Sequence, residues 1–425
     1  MRPIGVLLFL CIFIYPVFGQ VGQDEETLGD EEDILLEAEA LFEEEEHAGS
    51  ELGTNLVSGY LESAFLAIQE KEDVDYRRFQ NANKLKLTLD KKISEVRVHG
   101  EINFLFYSGL NDFNLLHYLP EKFLAERDSH RDDFDISYAN EVQVTQAYTV
   151  FPTGPLRVSV GRQPLALGTG YAWNPVDPIN KKNMLDPTDE IPAHDALKLS
   201  LPLPVNGEAR LAAIVGEDIN EFGGFVSARV NALFDWELSA ATMKYDLMEY
   251  FLIEDSLTFN TRSYRDTTLG LAFSGQLGEV GLHGEVACFF TENPDNHFRW
   301  LLGGDYTFSF QNRIMVELYH NGSGLASKED YTAQDWFSYL FGERLGLGRN
   351  YGFFSTSQTV FYIADITLST LASLTDFSLV IFPELKVNFS ELAELRLIYY
   401  IPVGKDGMEF GTFASSAELR VTGYF

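Results

Sequence analysis

The chain has 425 residues and a formal net charge of −33, from 64 acidic and 31 basic side chains. Nucleic-acid phosphates need a basic surface, so this charge balance excludes nucleic acid as a partner. The length allows either several soluble domains or one large barrel. The mean hydropathy of −0.08 does not exclude a membrane barrel, because alternating residues dilute its apolar signal.

The amino-terminal residues 1–19 have the pattern of a secretory signal peptide. Arg2 precedes an apolar run over residues 4–18, and Gly19 supplies a small residue for cleavage. The run is short for a membrane-spanning helix, and no later stretch of about eighteen apolar residues follows. The chain is therefore expected to be exported to the cell envelope without helical membrane anchors.

Residues 20–55 are strongly acidic and form a second segment. Dense like charge with few basic partners disfavours a compact fold, so we expect a disordered periplasmic tail. An alternative interpretation remains open. Leu35, Ala38, Leu41 and Phe42 share one helical face, which could dock on a periplasmic partner.

From residue 56 to residue 425 the sequence consists of repeated alternating runs. In one of them Leu85 and Leu87 alternate with Lys84 and Lys86. A period of two places these two sets on opposite faces of a strand. Charged residues recur in mid-strand opposite the apolar face, which favours a barrel around water over a sandwich core. We therefore predict an all-β fold, a transmembrane antiparallel β-barrel.

The connections between these runs alternate between short and long. Long ones are expected near residues 109–137, 164–193, 246–266 and 322–356, as in a barrel with short periplasmic turns and long external loops. The runs give 16–18 strands. Proline cannot donate to a central ladder, so a hairpin turn at Pro383 is preferred, and the predicted number is 18.

The final strand places Glu418 and Arg420 on one face and Leu419 and Val421 on the other. It ends in Phe425, and in this the chain resembles bacterial outer-membrane β-barrels. The resemblance implies a location in the cell outer membrane, with its lipid as a partner. It also implies recognition of the terminal strand by the barrel assembly machinery.

Strand parity selects charged residues that should face the lumen. Both signs of charge occur among them, so a mixed channel wall is expected. The channel-lining candidates are Lys84, Lys86, Arg97, Glu101, Arg157, Lys198, Arg313, Glu317, Arg396, Glu418 and Arg420.

The segment 164–192 is rich in Pro and Gly, which excludes a long helix or strand, and its aromatic residues can pack it in place. One interpretation is a loop folded into the lumen that narrows the channel. The other is an external loop that covers the barrel mouth. The constriction candidates are Arg162, Tyr171, Trp173, Asp177, Asp186 and Asp189.

Motifs of catalysis and of cofactor binding are missing from the sequence. There is no Gly-x-Ser-x-Gly elbow, no His-Glu-x-x-His and no Gly-Lys-Ser/Thr after a glycine-rich loop. Cys288 is the only cysteine after the signal peptide, which excludes an intramolecular disulfide and a thiolate zinc site. We therefore expect no enzymatic activity, no metal and no cofactor.

Several short motifs resemble a group of uncharacterised Gram-negative outer-membrane barrel proteins. They are Gly161-Arg162-Gln163, the Trp-Asn-Pro-x-Asp motif at 173–177, the Asp-Pro pair at 186–187 and the opening strand at 58–62. The chain is more distantly similar to porins and to alginate-export barrels. Alginate-export barrels have an arginine-rich lumen, and this chain has relatively few Arg, so no residue role is carried over.

Two functions follow from these expectations. The first is a porin-like channel for the diffusion or export of small polar solutes or of a polymer, since about eighteen strands enclose a wide lumen. The second is a structural or interaction barrel that serves an envelope partner as a scaffold or sheath without free diffusion.

Overall fold

The structure is a computed structural model. It describes residues 57–69, 77–123, 135–186, 190–204, 206–216, 222–253, 256–292 and 296–425. The predicted signal peptide and the predicted acidic tail lie outside the described residues, and both stay predictions.

The described residues form twenty strands, numbered in chain order. They are β1 (Val57–Gln69), β2 (Arg77–Ile93), β3 (Val96–Gly109), β4 (Asp112–Asn114), β5 (Asp135–Ser137), β6 (Glu141–Thr153), β7 (Leu156–Pro164), β8 (Ala193–Leu203), β9 (Gly207–Ile214), β10 (Gly223–Asn231), β11 (Asp235–Ile253), β12 (Ser256–Leu277), β13 (Val280–Thr291), β14 (His297–Thr307), β15 (Asn312–Asn321), β16 (Asn350–Val360), β17 (Ala364–Ser373), β18 (Ser378–Ser390), β19 (Ala393–Val403) and β20 (Ser415–Tyr424).

Eighteen of these strands form one closed antiparallel sheet in which each strand pairs with its neighbours in the chain. The barrel closes where β20 pairs with β1, with Tyr60 opposite Tyr424. Beyond this pair, Gly59 and Phe425 exchange main-chain hydrogen bonds of 2.9 Å. Strands β4 and β5 form a separate ribbon in the β3–β6 connection. The predicted antiparallel barrel of 18 strands is confirmed.

The two rims of the barrel differ. At one rim, here called the turn end, short turns join the strands, and Val57 and Phe425 lie there. At the other rim, the loop end, are the long connections β3–β6, β7–β8 and β15–β16, together with residues 404–414 between β19 and β20. Three of the four predicted long loops, near residues 109–137, 164–193 and 322–356, are thus long connections at one rim.

The outer face of the barrel is apolar because one parity of each strand carries exposed aliphatic side chains, such as Leu197, Leu271 and Val286. Aromatic side chains gather near both rims, as expected where a membrane meets water. Exposed aromatic side chains near the turn end are Phe151, Trp236, Phe310, Phe361, Tyr362, Phe389 and Phe425, and those near the loop end are Phe79, Phe222, Phe290, Phe298 and Phe377.

The connection β15–β16 contains the helix α1 (Ala333–Leu340). Thr332 caps it and forms a reciprocal capping box with Asp335. Short 3-10 helices lie at Leu115–Tyr118, Glu121–Phe123 and Lys328–Asp330. Among the described residues, no helix has the length and apolar character needed to cross a membrane.

The predicted hairpin turn at Pro383 is wrong, because β18 runs through this residue without turning. Pro383 lies opposite Leu368 of β17. On the other side, the ladder to β19 passes from Ile381 to Glu384 with no pair between them. The missing N–H of Pro383 is thus accommodated by a local gap in one ladder. The number 18 is reached instead through a tight turn at 361–363 and a short connection at 374–377.

The predicted long loop at 246–266 is also wrong. Strands β11 and β12 stay paired up to Ile253 and Ser256. Their outer neighbours stop earlier, since β10 pairs with β11 only as far as Thr242 and β13 pairs with β12 only as far as Asp266. The segment is therefore a β-hairpin that continues past the strands on both sides.

The depth of the apolar band can be tested on β13. Replacing Val286, which lies exposed in mid-strand, with Arg is expected to destabilise the barrel by about 2–4 kcal/mol, because the charge would face the bilayer midplane. Urea unfolding in lipid vesicles measures this cost. The same change at Val280, beside the turn end, should cost about 0–1 kcal/mol. Equal costs at both positions would contradict the assigned depth.

Candidate functional site

The β7–β8 connection lies inside the barrel. We call its residues 165–186 the inward segment. The main chain of the segment contacts Arg210 of β9, Glu237 of β11 and Glu317 of β15, and Asp186 contacts Arg396 of β19. These partners belong to strands on several sides of the barrel and share its inner face. The segment therefore crosses the lumen.

Two wall carboxylates hold the first half of the inward segment by its main chain. Glu285 accepts hydrogen bonds from the N–H groups of Thr169 (2.5 Å), Gly170 (2.7 Å) and Val176 (3.1 Å). Successive main-chain N–H groups form a concave site for a negative charge, and such charge-assisted bonds are strong. The fold of the segment is thus complementary to a carboxylate on the wall.

Glu317 on β15 holds the next two residues of the inward segment in the same way. Its carboxylate accepts N–H groups of Tyr171 (2.6 Å) and Ala172 (2.7 Å), and it lies 2.6 Å from Nε2 of His283. The residue is fully buried, at 0% exposure. Burial of a carboxylate is costly without partners, and here each oxygen has at least one.

Asp177 organises a turn within the segment. Its side chain accepts main-chain N–H groups of Leu167, Ile179 and Asn180, and the amide of Asn180 as well. Burial raises the pKa of Asp177 to about 6, and these hydrogen bonds oppose that rise. The carboxylate is used inside the segment, so its charge is not presented to the lumen.

Aromatic side chains fix the middle of the segment against the wall. Trp173 is 1% exposed and stacks on Tyr319 with ring centroids 5.1 Å apart. Tyr171 is half-buried and packs beside Phe353 at 5.5 Å. Burial raises the pKa of Tyr171 to about 12, so its hydroxyl stays protonated at neutral pH.

Other connections fill the lumen around the inward segment on the side of the loop end. They supply a buried hydrophobic cluster that is continuous with Trp173 and Leu185. Lys181 ties the segment to the β15–β16 connection by donating to the carbonyls of Gly342 and Glu343. The residues that these other connections contribute to the cluster are Phe113, Leu115, Leu116, Leu119, Tyr331, Trp336, Phe337, Tyr339, Leu340, Phe341, Leu347, Phe410 and Phe413.

A buried carboxyl group holds the connection 404–414 in this cluster. Glu409 is 0% exposed and accepts the N–H groups of Leu347 and Gly348 and the hydroxyl of Tyr351. Its own N–H donates to the carboxylate of Asp376 at 2.6 Å. Burial, with the nearby Asp376 charge, raises the pKa of Glu409 to about 8.

The half of the lumen nearest the turn end differs, because its inner-face charges reach water. We call it the turn-end vestibule, and the side chain of Arg313 in it is 46% exposed. The charges are arranged as ion pairs along the wall. These pairs are Arg97–Asp90 (2.7 Å), Arg313–Asp305 (3.3 Å), Lys386–Glu394 (3.3 Å) and Arg396–Glu384 (2.8 Å).

The structure places all eleven channel-lining candidates on the inner face, but in two environments. Arg157 and Arg313 are exposed in the turn-end vestibule, and Arg97, Lys198 and Arg396 are partly buried. The remaining six are buried at or near the level of the inward segment: Lys84, Lys86, Glu101, Glu317, Glu418 and Arg420. Whether any of them lines a path for solute stays a prediction.

The constriction candidates are not brought together. Arg162 faces outward from β7, since it shares the parity of exposed Val160, and it pairs with Asp195 at 2.7 Å. Its expected place in the neck is therefore wrong. Asp186 is 1% exposed and pairs with Arg396 at 3.3 Å. Asp189 lies outside the described residues.

Sequence reasoning missed Glu237, Glu285, Glu409 and Glu190, which hold the loops in place. Glu237 and Glu285 share the parity of other inner-face residues, so the rule that selected Glu317 would also have found them. Glu409 and Glu190 lie in connections, and no local pattern marks them. No cluster of His, Cys, Asp or Glu side chains within the described part of the chain is arranged to hold a metal ion.

A closed antiparallel sheet with an apolar outer face and a charged inner face defines a porin-like transmembrane β-barrel. No protein-family model and no curated protein sequence matches the chain. Among solved structures, it is similar to OmpT, an outer membrane protein of Vibrio cholerae in its trimer form, at 9% identity and a TM-score of 0.45, over 87% of this chain and 98% of that one. It is also similar to a mutant of the Rh. blastica porin at 9% identity and a TM-score of 0.45, over 87% and 99%. The likeness concerns the barrel fold alone.

Proposed function

We propose that the chain is an outer-membrane channel that passes small polar solutes through a lumen narrowed by the inward segment. The turn-end vestibule carries the proposal. Ion pairs with exposed members line its wall, and a wall of this kind is stable only against water. Water that enters the lumen from the turn end would solvate these pairs.

The outer membrane is the location that the surface supports. The apolar band with aromatic residues at both rims suits a bilayer, and short turns mark the periplasmic rim of such barrels. Exposed Phe425 ends the strand that closes the barrel, where the assembly machinery could bind it. That partner, the signal peptide and the expected lack of enzymatic activity remain predictions.

A second candidate function is a scaffold or sheath without free diffusion. The observation that favours it is the hydrophobic cluster, in which Trp173, Trp336 and Phe410 pack together with residues from four connections on the loop-end side of the lumen. A cluster of this extent leaves little room for solute unless the path runs beside it.

Planar-bilayer recording separates the two candidates. A channel should give stepwise openings of low conductance, because the inward segment narrows a lumen of 18 strands. The vestibule charges are paired, so only weak ion selectivity is expected from them. A properly folded, heat-modifiable barrel that stays electrically silent in lipid would contradict the channel and favour the scaffold.

A further inference from the structure

Two opposite charges lie unpaired on the inner face of the barrel near the loop end. Asp266 of β12 is only 8% exposed, and its Oδ1 has no hydrogen-bond partner. Arg299 of β14 likewise has a buried Nε without a partner, and the hydrogen bond that it donates to the Ser323 hydroxyl is long, at 3.4 Å. Within the described part of the chain, neither side chain belongs to an ion pair. A buried carboxylate without a partner is costly, so this one needs water or a ligand.

The two charged groups face one region. Both act electrostatically on the hydroxyl of Tyr264, which occupies the inner-face position next to Asp266 on β12. Two further buried hydroxyls in this region have no hydrogen-bond partner, those of Thr268 on β12 and Tyr319 on β15. The charge of Arg299 acts on Tyr319 as well. Unpartnered polar atoms are rare in protein interiors, and here several from three strands gather in one place, which indicates a site for a polar molecule.

Aromatic rings frame this region. The guanidinium of Arg299 lies 4.3 Å from the ring centroid of Phe289. A cation over an aromatic face is held there, while the N–H groups in the guanidinium plane stay available. Tyr264 packs beside Tyr245 at 5.7 Å, and the hydroxyl of Tyr245 donates to the carbonyl of Pro178. The inward segment therefore bounds the region, and apolar surface is present beside its charges.

The region opens towards the loop end. Arg299 is only partly buried, and so is Thr291, which is paired with Asp266 across β12 and β13. Beyond this pair, Glu292 and Asn296 are exposed in the connection between β13 and β14. A solute that arrives at the loop end therefore meets this region before the inward segment, and binding there does not require passage through the lumen.

We propose that this region binds a small zwitterion with one carboxylate and one ammonium group, as in a free amino acid. The fork of Arg299 donates two parallel hydrogen bonds to the carboxylate, and Asp266 accepts hydrogen bonds from the ammonium group. Rings on both strands line the space for an apolar side chain. We call the region the loop-end site; its residues are Tyr264, Asp266, Thr268, Phe289 and Arg299.

The charges of the loop-end site select this class of ligand. A plain anion would pair with Arg299 and leave the buried Asp266 beside a like charge. A plain cation would do the reverse, and an uncharged sugar would leave both charges without a counter-ion. Only a zwitterion satisfies both groups. The proposal rests on the proposed channel function, for which it names a class of solute, but binding itself can be measured without conductance.

Calorimetry and saturation-transfer NMR on the folded protein in detergent micelles test the site, with L-phenylalanine and glycine as probes. Two analogues are compared with the first probe. N-acetyl-L-phenylalanine keeps only the negative charge, and L-phenylalaninamide keeps only the positive one. The zwitterion should bind at least about tenfold more tightly than either analogue, because each analogue leaves one buried charge unpaired. Equal binding of these three compounds would overturn the proposal, as would no binding of either probe.

Two variants should change the preference in opposite directions. D266N should weaken the binding of L-phenylalanine and spare that of N-acetyl-L-phenylalanine, whereas R299Q should weaken it and spare the amide. A variant that merely loosened the fold would weaken all three compounds alike. The matched controls are D195N and R162Q, an aspartate and an arginine that pair with each other at 2.7 Å on the outer face near the loop end. They should leave every affinity unchanged, and a loss as large as that in D266N would refute the assignment.

Binding and channel function can fail separately. A barrel that conducts in planar bilayers but binds neither probe keeps the channel and refutes the loop-end site. A barrel that stays silent but binds L-phenylalanine with the expected preference refutes the channel and supports the site.

Discussion

Replacing both Glu285 and Glu317 with Ala is expected to raise the single-channel conductance several-fold and to leave the barrel folded. The two carboxylates accept five main-chain N–H groups of the inward segment. A hydrogen bond to a charged group contributes about 1.5–3 kcal/mol, and a buried N–H left without a partner adds a penalty. We expect a loss of this size to release the segment from the wall. The barrel should stay folded because the main-chain hydrogen bonds between its strands are unchanged.

Two measurements check this result on the same samples. Planar-bilayer recording gives the conductance, and limited proteolysis from outside reports whether residues 165–186 have become accessible. The control is Glu279→Ala in the β12–β13 turn, which removes an exposed carboxylate bonded to the Tyr306 hydroxyl and should change neither reading. Unchanged conductance and unchanged protection in the double variant would mean that other contacts alone hold the segment.

The connection 404–414 is expected to become less firmly docked as the pH rises towards 8. In the docked state the pKa of Glu409 is about 8, against an ordinary value of 4.5, because the carboxyl is buried and lies near Asp376. Below pH 4.5 the neutral form predominates in both states, and docking is at full strength. Between pH 4.5 and 8 the released state loses its proton first, which costs docking about 1.4 kcal/mol per pH unit. Above pH 8 no further loss follows.

Hydrogen exchange of residues 404–414 over this pH range, corrected for the intrinsic rate, measures the effect. The variant Glu409→Gln should remove most of the pH dependence, since an amide can still accept from Leu347 or Gly348 and carries no charge. The groups that face Glu409 are Asp376, Tyr331, Tyr339 and Tyr351. Loss of protection at acidic pH, instead of alkaline pH, would show that a different group controls the docking.

The alternation of apolar and polar residues along each strand predicted most of the fold. The side-chain period of two is local, so parity along runs such as 84–89 and 418–421 identified the inner and outer faces correctly. The predicted number of 18 strands is also correct, although the hairpin at Pro383 that led to it is not formed. Local patterns failed where pairing is decided by neighbouring strands. Pro383 stays in a strand because β17 pairs on one side of it, and residues 246–266 stay paired because β11 and β12 support each other.

The lumen was harder to predict because its contacts join residues far apart in the chain. Glu317 and Tyr171 are 146 positions apart, and Glu409 and Gly348 are 61 apart. No window of sequence contains both members of such a pair. Asp177 illustrates the same limit. The sequence predicted its carboxylate in a channel neck, but in the structure it accepts hydrogen bonds within the turn that it organises.

The inward segment is recognised mainly through its main chain in its first half and through side chains beyond it. Glu285 and Glu317 bind amide groups that any residue except proline supplies, and Pro175 and Pro178 occupy positions where no such bond is made. These bonds themselves place no demand on the side chains, although Gly168 and Gly170 leave no space for a Cβ atom and Trp173 is packed against the wall. Asp186 and Glu190, in contrast, act through their own carboxylates. A substitution at either position therefore removes a contact between this connection and the barrel wall, whereas the first half of the segment keeps its bonds as long as its main chain keeps its course.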